Sequence, residues 1–344
     1  MIILPEASAA AYFYNDLCNA LEEDRVLLFP PSFKRSASQI RTDEGQLILR
    51  TRVQEFLRQG DPRGGILVTS AEALGERVLS GEQLGRNILQ LHKGERISIS
   101  FICDLLHEYQ FTRCDFVSEP GQFSIRGGIV DIFSYAHHLP YRIDFFGKEV
   151  ESIRSFDIDT QLSSEFFEEI TIIPDIRKFL APGSSACFPA LLPRDALLWS
   201  EDLPLTLDLL DKLGKSPVRY YQPDRSESAI PASEIYVPAQ TIEEQLKAFR
   251  HIEFGHFNHF EGASSLTFHT EPQPTFNKNF DLMAENLAMN AARGFTCCIL
   301  SENSKQFDRL RNIFAGTRVQ ATFTPVPGIL HEGFTDQDLQ QCLY

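Results

Sequence analysis

Short apolar runs and amphipathic stretches alternate along the first 87 residues of the chain. Runs typical of buried strands occupy residues 1–5, 25–31 and 64–69, and stretches with helical periodicity occupy residues 7–21 and 44–59. The predicted helix over 7–21 has Tyr12, Leu17 and Leu21 on its apolar stripe. This alternation predicts one sheet layered with helices.

From residue 88 the apolar positions follow the period of strands. A short helix ends over residues 104–109, and strands follow at turn-length spacing over 123–126, 129–133, 141–146 and 149–156. Between the last two, Gly147 can adopt the positive φ that the first position of a type II′ hairpin turn requires. The pattern predicts an antiparallel, strand-rich module over residues 88–174.

The remaining chain divides at residue 265. Residues 175–265 are less regular, with a predicted buried strand over 195–202 that ends in acids and a loop-like stretch over 217–238. Residues 266–344 predict a small α/β domain, with helices over 280–293 and 305–314 and strands over 295–300 and 319–324. Because the chain begins on a strand and ends inside an apolar run, we expect a piece of a longer protein that is truncated at both ends. The fold class is therefore α/β multidomain.

Composition and charge exclude several classes of protein. The 344 residues are 43% hydrophobic and 23% charged, which excludes disordered, collagen-like and coiled-coil proteins. The formal charge of −15 argues against a protein that coats nucleic acid through bulk electrostatics. No apolar run can span a bilayer and no signal peptide is visible, so we expect a cytoplasmic protein without membrane contact. The seven Cys lack a CxxC pair and are interpreted as reduced core residues.

Catalytic and cofactor motifs are incomplete or absent. Gly214-Lys215-Ser216 lacks the first glycine of a phosphate-binding loop and is followed by Pro217. The Glu201-Asp202 pair is interpreted as a helix-cap region, with a magnesium site as the alternative. The cluster of His251, His256 and His259 has no usual zinc spacing and is interpreted as part of an apolar segment, with a metal site as the alternative. The sequence therefore predicts no catalytic residue, no cofactor and no metal.

The strongest indication of function is one face of the predicted strand over 141–146. Period two places Tyr141, Ile143 and Phe145 on one side of the strand over 141–146, and Arg142, Asp144 and Phe146 on the other. Arg126 lies in a preceding strand. Aromatic and arginine anchors dominate the energetics of protein interfaces, so the second side has the composition of a recognition patch. The alternative is that Phe146 belongs to the core and the arginines are solvated or paired with the abundant acids.

A family resemblance rests on these same residues. The strings EPGQFSIRGGIVDIF, YRIDFFGKEVESIRSFD and TQLS follow one another and resemble the N-terminal part of bacterial transcription-repair coupling factor (Mfd), and more distantly UvrB. VLLFPPSFKRS and GILVTSAEAL upstream, and PGILHEGFTDQDLQQCLY downstream, extend the resemblance over essentially the whole chain. Residues 88–174 are its most specific part.

The resemblance implies both an architecture and a partner. It implies a degenerate, helicase-like α/β domain in two halves, 1–87 and 175–265, interrupted by a β-rich module over 88–174 that binds UvrA, and then a small α/β domain over 266–344. The UvrA-binding arginines of the family fall on Arg126, before the glycine of RGG, and on Arg142 in YRIDFF. The family's phenylalanine falls on Phe146, and an acid of the more distant relative falls on Asp144.

Three functions remain open on this basis. The first is a non-catalytic adaptor that recruits the excision-repair protein UvrA to stalled RNA polymerase, with polymerase and DNA contacted only through C-terminal domains that this chain lacks. The second is a module that restrains the translocase of the full-length factor. The third is a UvrB-like nucleotide-dependent repair subunit, which would require an intact phosphate loop and an aromatic DNA-clamping hairpin, and neither is found in this sequence.

Overall fold

The computed structural model describes residues 1–21, 25–36, 39–60, 64–179, 185–215, 218–222 and 225–344. The chain divides into two compact units. The first unit comprises Met1–Ala11 and Leu27–His259, and the second comprises Tyr12–Val26 and Phe260–Tyr344.

Ten elements precede the strand-rich module in the described residues. In chain order they are β1 (Ile2–Leu4), α1 (Ala7–Ala20), β2 (Val26–Phe29), β3 (Phe33–Ser36), β4 (Gln39–Thr42), α2 (Glu44–Gln59), β5 (Ile66–Ser70), α3 (Ala71–Gly75), β6 (Val78–Leu79) and α4 (Gly81–Arg86). The sequence predicted β1, α1, β2, α2 and β5 and missed the other five. The sequence signals of α2 are clear in the structure. The Asp43 side chain accepts a hydrogen bond from the Gln46 amide at its N-terminus, and Gly60 ends the helix in the left-handed conformation.

The strand-rich module follows. Its elements are β7 (Leu89–His92), α5 (Ile99–Glu108), β8 (Thr112–Arg113), β9 (Gln122–Arg126), β10 (Ile129–Ile132), β11 (Tyr141–Phe146), β12 (Glu149–Phe156), β13 (Ser163–Phe167) and β14 (Glu169–Ile172). The order of its main sheet is β13-β12-β11-β10-β9-β8, antiparallel except for the β8–β9 pair. β14 pairs antiparallel with β7.

The rest of the first unit contains two 3-10 helices and further strands and helices. They are the 3-10 helix Ile176–Phe179, β15 (Ser185–Ala186), the 3-10 helix Phe188–Leu191, β16 (Leu197–Glu201), α6 (Leu203–Lys215), β17 (Val218–Gln222), β18 (Arg225–Ile230), α7 (Ala232–Ile235), α8 (Ala239–Leu246) and β19 (Arg250–Phe254). The second unit adds β20 (Thr270–Pro272), α9 (Phe280–Ala292), β21 (Thr296–Leu300), α10 (Ser304–Ala315), β22 (Thr324–Val326), β23 (Phe334–Asp336) and β24 (Gln341–Leu343).

Strand order shows that the module is an insertion. The five-stranded sheet has the order β19-β16-β1-β5-β2, with β1 parallel to both β5 and β16 and β16 parallel to β19. β1 and β5 precede the module in the chain, whereas β16 and β19 follow it. One α/β sheet is therefore assembled from both sides of an antiparallel β-rich insertion, and the predicted fold class is confirmed for the described residues.

One face of the inserted sheet forms the core of the module. Five apolar side chains point to this face and are at most 1% exposed, namely Phe123, Val130, Ile132, Ile143 and Ile153. They pack with residues of α5, β7 and β14 in a single apolar cluster. Because strand side chains alternate, the opposite face carries the polar residues of the same strands, together with a smaller buried apolar cluster that includes Phe156.

The second unit is a small α/β structure. Its sheet has the order β20-β23-β24-β21-β22, and β21 is parallel to both β22 and β24. Its core includes Leu287, Phe295, Phe307 and Phe314. The predicted helices and the strand at 295–300 are present with shifts of one or two residues at their ends.

Several local predictions are wrong. The stretch over 217–238 contains β17, β18 and α7 instead of a loop, and Pro231 lies between β18 and α7, where it interrupts neither element. The strand predicted over 319–324 lies at Thr324–Val326. Tyr12 of α1 and Leu21, which follows the end of α1, are exposed, and the buried residue of α1 is Ala10.

The predicted strand ending in acids is only half buried. In β16, Leu198 and Ser200 are buried, while Leu197 and Trp199 are exposed.

The seven cysteines are all free thiols. Three of them, Cys297, Cys298 and Cys342, are core residues as expected, and the other four are half-buried. Over the described ranges, none of the helices has both the length and the apolar character needed to cross a bilayer.

Candidate partner-binding face of the inserted module

A straight cross-strand row of side chains crosses the open face of the inserted sheet. In the strand registers, Asp131 lies opposite Arg142, Arg142 opposite Arg154, and Arg154 opposite Phe166. A second row places Asp144 opposite Ile129 and Ser152. Directly opposite side chains on one face are close enough to interact, so these rows bring the predicted residues together with others that were not predicted.

Asp131 joins the two predicted arginines. Its carboxylate accepts hydrogen bonds from Arg142 Nε at 2.8 Å and Arg142 Nη2 at 3.0 Å, and it also accepts one from Arg126 Nη2. The Asp131 side chain is only 2% exposed, against 13% for Arg142 and 35% for Arg126. The hydrogen bonds to Asp131, which outweigh the effect of burial, raise the pKa of Arg142 above its ordinary value. A buried carboxylate thus holds two guanidinium groups side by side.

Each arginine is held at further points. Arg126 Nη1 donates to the backbone oxygen of Asp115 at 3.0 Å, and its guanidinium carbon lies 4.9 Å from the ring centre of Phe116. Arg142 Nη2 donates to Gln161 Oε1 at 2.9 Å, and its guanidinium carbon lies 4.1 Å from the ring centre of Phe156. Such fixed positions reduce the side-chain entropy that binding would otherwise remove.

Asp144 makes a separate ion pair on the same face. It accepts a hydrogen bond from Ser152 Oγ at 2.7 Å and ion-pairs with Arg154. Asp144 also attracts the charge of Arg142, which contributes to the raised pKa of that arginine. Three guanidinium groups and two carboxylates thus form a charged cluster with one net positive charge, made of Arg126, Asp131, Arg142, Asp144 and Arg154.

Phe146 stands at the end of this face. It is 80% exposed, whereas the preceding Phe145 is buried, so the alternation along β11 continues to its last residue. An extra residue on β12 shifts the register between Asp144 and Phe145. The turn that follows has a positive φ of 65° at Gly147, as predicted for a two-residue hairpin of type II′.

The structure separates the two sequence interpretations of this face. Phe146 does not belong to the core, so that part of the alternative interpretation is wrong. The arginines do pair with acids, so that part is right. The sequence reasoning missed Asp131, Arg154 and Gln161. For Asp131 a signal existed, since an acid inside the apolar run of β10 needs a buried partner.

The other candidate residues have structural surroundings. Gly214 and Lys215 lie in the last turn of α6, where Lys215 pairs with Asp211, and Ser216 and Pro217 lie outside the described residues. Asp202 directly precedes α6, but its carboxylate accepts hydrogen bonds from the His256 and Phe257 amides at 2.6 and 2.8 Å. It therefore holds a neighbouring turn and does not cap the helix with its side chain.

The three histidines of the suggested cluster have different partners. His251 Nε2 lies 2.7 Å from Ser200 Oγ, and His259 Nε2 lies 3.3 Å from Glu243 Oε1. The His256 amide is bound by Asp202. Within the described residues, no three His, Cys, Asp or Glu side chains are arranged to hold a metal ion.

Residues 89–177 match the family model described as the UvrB interaction domain. This part of the chain, about a quarter of its length, is therefore similar to a UvrB interaction domain. This match runs from β7 through β14 into the first 3-10 helix, so it includes all of the polar face described above. The rest of the chain lies outside this match.

Curated relatives extend the likeness to a larger protein. Over 129 residues the chain is 32% identical to the transcription-repair-coupling factor of Escherichia coli, a match that covers 38% of this chain and 11% of that protein. Over 172 residues it is 33% identical to the factor of Bacillus subtilis, a match that covers 50% of this chain and 14% of that protein. The chain is thus homologous in part to the N-terminal region of transcription-repair coupling factor, and the matched segments span about a tenth to a seventh of these relatives.

Proposed function

We propose that this chain is a non-catalytic adaptor that binds UvrA through the polar face of its UvrB interaction domain. Joined to the rest of a transcription-repair coupling factor, it recruits UvrA to stalled RNA polymerase in the bacterial cytoplasm. Contacts to polymerase and DNA belong to other parts of such a factor. Arg126, Arg142, Asp144 and Phe146 are the proposed binding residues.

The observation that carries this proposal is an exposed aromatic ring on the same sheet face as a preorganised arginine pair. Phe146 is 80% exposed, and Asp131 holds Arg126 and Arg142 in one orientation. Interfaces draw most of their binding energy from a few aromatic and arginine residues. A buried carboxylate that fixes the arginines lowers the ordering cost of binding, which a solvated surface arginine bears in full.

The name of the matched domain and the partial homology to coupling factors support a repair partner. Such a partner is a protein surface and not a nucleic-acid backbone. The charged cluster has only one net positive charge, and the whole chain carries −15. Binding to phosphates through counterion release requires many basic contacts, which this face does not supply.

Calorimetric titration of purified UvrA into this chain tests the proposal. We expect saturable binding that Arg142→Ala and Phe146→Ala each weaken by about 2 kcal/mol, the usual size of a hot-spot loss. Arg86→Ala is the matched control, because Arg86 is an exposed arginine paired with Glu82 on α4, outside the domain. The proposal fails if wild-type chain shows no binding, or if both variants bind as tightly as the control.

A further inference from the structure

The open face of the inserted sheet carries more exposed apolar surface than Phe146 alone. Phe116 is 67% exposed, Leu162 is 69% exposed and Phe166 is 70% exposed. Single exposed apolar side chains are common in proteins, but these three share one domain with Phe146. Their positions relative to the charged cluster decide whether they form one surface with it.

Phe166 lies at one end of the cross-strand row. It is directly opposite Arg154, and therefore on the face that Arg142 and Asp131 occupy in the next two strands. β13, which carries Phe166, is the outermost strand of the sheet order, and its other residues up to Glu165 are exposed. The ring therefore extends the face past the last arginine.

Leu162 is fixed next to Arg142 by the turn that precedes β13. Its neighbour Gln161 accepts a hydrogen bond from Arg142 Nη2 at 2.9 Å. The turn is closed by the Asp157 amide, which donates to the Leu162 oxygen at 2.9 Å, and by Thr160, whose amide and hydroxyl both donate to Asp157 Oδ1 at 2.8 Å. An exposed leucine on a turn held this firmly loses little entropy when a partner covers it.

Phe116 lies at the opposite end of the face. Arg126 packs over its ring, with the guanidinium carbon 4.9 Å from the ring centre. The exposed apolar residues therefore border the charged cluster on both sides. This arrangement has a charged centre with one net positive charge and an apolar margin on each side.

We propose that the docking surface for UvrA extends across the whole sheet, from Phe116 at one margin to Leu162 and Phe166 at the other. This inference rests on the proposed function and adds residues that the family resemblance does not supply. The complementary partner surface presents carboxylate groups to the arginines, flanked by apolar recesses for the rings. Charge complementarity with the cluster and continuity with Arg142 and Phe146 both favour this occupant.

Alanine variants of the margin residues test the extent of the surface. We expect Phe166→Ala and Leu162→Ala each to weaken UvrA binding by about tenfold, and Phe116→Ala to do likewise, with melting temperatures unchanged because the side chains are exposed. Phe101→Ala is the matched control. Phe101 is 54% exposed on α5 of the same domain, and α5 packs on the apolar face of the sheet through Ile102 and Leu106.

The outcomes separate this inference from the proposed function. If Arg142→Ala and Phe146→Ala lose affinity while all three margin variants bind like Phe101→Ala, the extended surface is refuted and the proposed function stands. If wild-type chain does not bind UvrA, the proposed function itself is refuted. If Phe101→Ala loses as much affinity as Phe166→Ala, the loss is not specific to this face, which also overturns the extension.

A charge pair at one position tests the acidic character of the partner. Phe166→Lys and Phe166→Glu remove the same ring and introduce opposite charges beside Arg154. If the partner presents carboxylates, the Lys variant should bind more tightly than the Glu variant by at least about threefold at low salt, and the difference should shrink as salt is added. Equal affinities, or tighter binding by the Glu variant, would overturn the acidic-partner half of the inference.

Discussion

Asp131 accepts two parallel hydrogen bonds from Arg142, one from Nε to Oδ1 at 2.8 Å and one from Nη2 to Oδ2 at 3.0 Å. This two-point geometry fixes the plane of the guanidinium group, which a single contact would leave free to rotate. Because Arg126 binds the same carboxylate, one buried residue determines the orientation of both proposed binding arginines. Stability and recognition in this domain therefore depend on a shared group.

We expect Asp131→Ala to lower the free energy of unfolding of the inserted module by about 3 kcal/mol, since it leaves two neighbouring cations without their buried partner. UvrA affinity should fall as well, because the arginines lose their fixed orientation. Chemical denaturation measures the first effect and calorimetry the second.

Asp144→Ala is the control for the stability part of this prediction. Its ion pair with Arg154 is 22% exposed on the carboxylate side, so its removal should cost about 1 kcal/mol. Equal losses of unfolding free energy for the two aspartate variants would show that burial of Asp131 has no special effect.

The conservative change Arg142→Lys keeps the charge but cannot make the two-point contact, and it should lose most of the UvrA affinity that Arg142→Ala loses.

Salt should distinguish the arginines from the aromatic ring. Arg126→Ala removes a positive charge from the proposed binding face, so the dependence of UvrA affinity on salt concentration should become weaker. Phe146→Ala removes apolar contact, so affinity should fall by a similar factor at low and high salt. Titrations at two salt concentrations measure both slopes. An unchanged slope in Arg126→Ala would mean that this arginine makes no electrostatic contribution to binding.

The faces of β11 were predictable because one side of the strand is buried and the alternation is strict from Tyr141 to Phe146. The turn at Gly147 was predictable from local geometry. The role of Asp131 was not, because its bond to Arg142 joins residues 11 positions apart and depends on the register between two strands. Periodicity identifies the face of a residue, but it does not identify the residue opposite.

Weakly buried strands were harder to predict. β13 has the sequence SSEFF and is largely exposed, so it lacks the buried alternation that identifies an inner strand. The stretch over 217–238 was interpreted as a loop from its prolines, although Val218–Gln222 has the β-branched and aromatic residues of a strand. Exposed strands carry little pattern, which is why Phe166 was not predicted as part of the binding face.

We expect the segment Gly214-Lys215-Ser216 not to bind ATP. Lys215 lies in the last turn of α6 and pairs with Asp211, so it does not follow a loop of backbone amides that could hold phosphates. Equilibrium dialysis with ATP and magnesium should show no saturable binding in the micromolar range. Lys215→Ala should leave any residual signal unchanged. Saturable binding that this variant abolishes would support the nucleotide-dependent alternative.

Protonation of His251 should make the stability of the five-stranded sheet depend on pH. His251 of β19 lies 2.7 Å from the buried Ser200 Oγ of β16, through Nε2. Burial lowers the pKa of His251, although the nearby Glu253 opposes this effect. The neutral ring is therefore the form that the folded state prefers.

The direction of the pH effect follows from this lowered pKa. In the unfolded chain the histidine has a pKa of about 6.5, so above that pH both states are neutral and the contribution to stability is complete. As pH falls below about 6.5, the unfolded state takes up the proton first, and stability is lost until pH passes the lower pKa of the folded state. Melting temperatures at about pH 7.5 and about pH 5.5 should therefore differ less in His251→Gln than in wild type. Partial desolvation and the nearby charge of Arg52 also lower the pKa of His138, so the difference should not vanish entirely, and His138→Gln serves as the parallel variant. The same pH dependence in His251→Gln and in wild type would contradict the prediction.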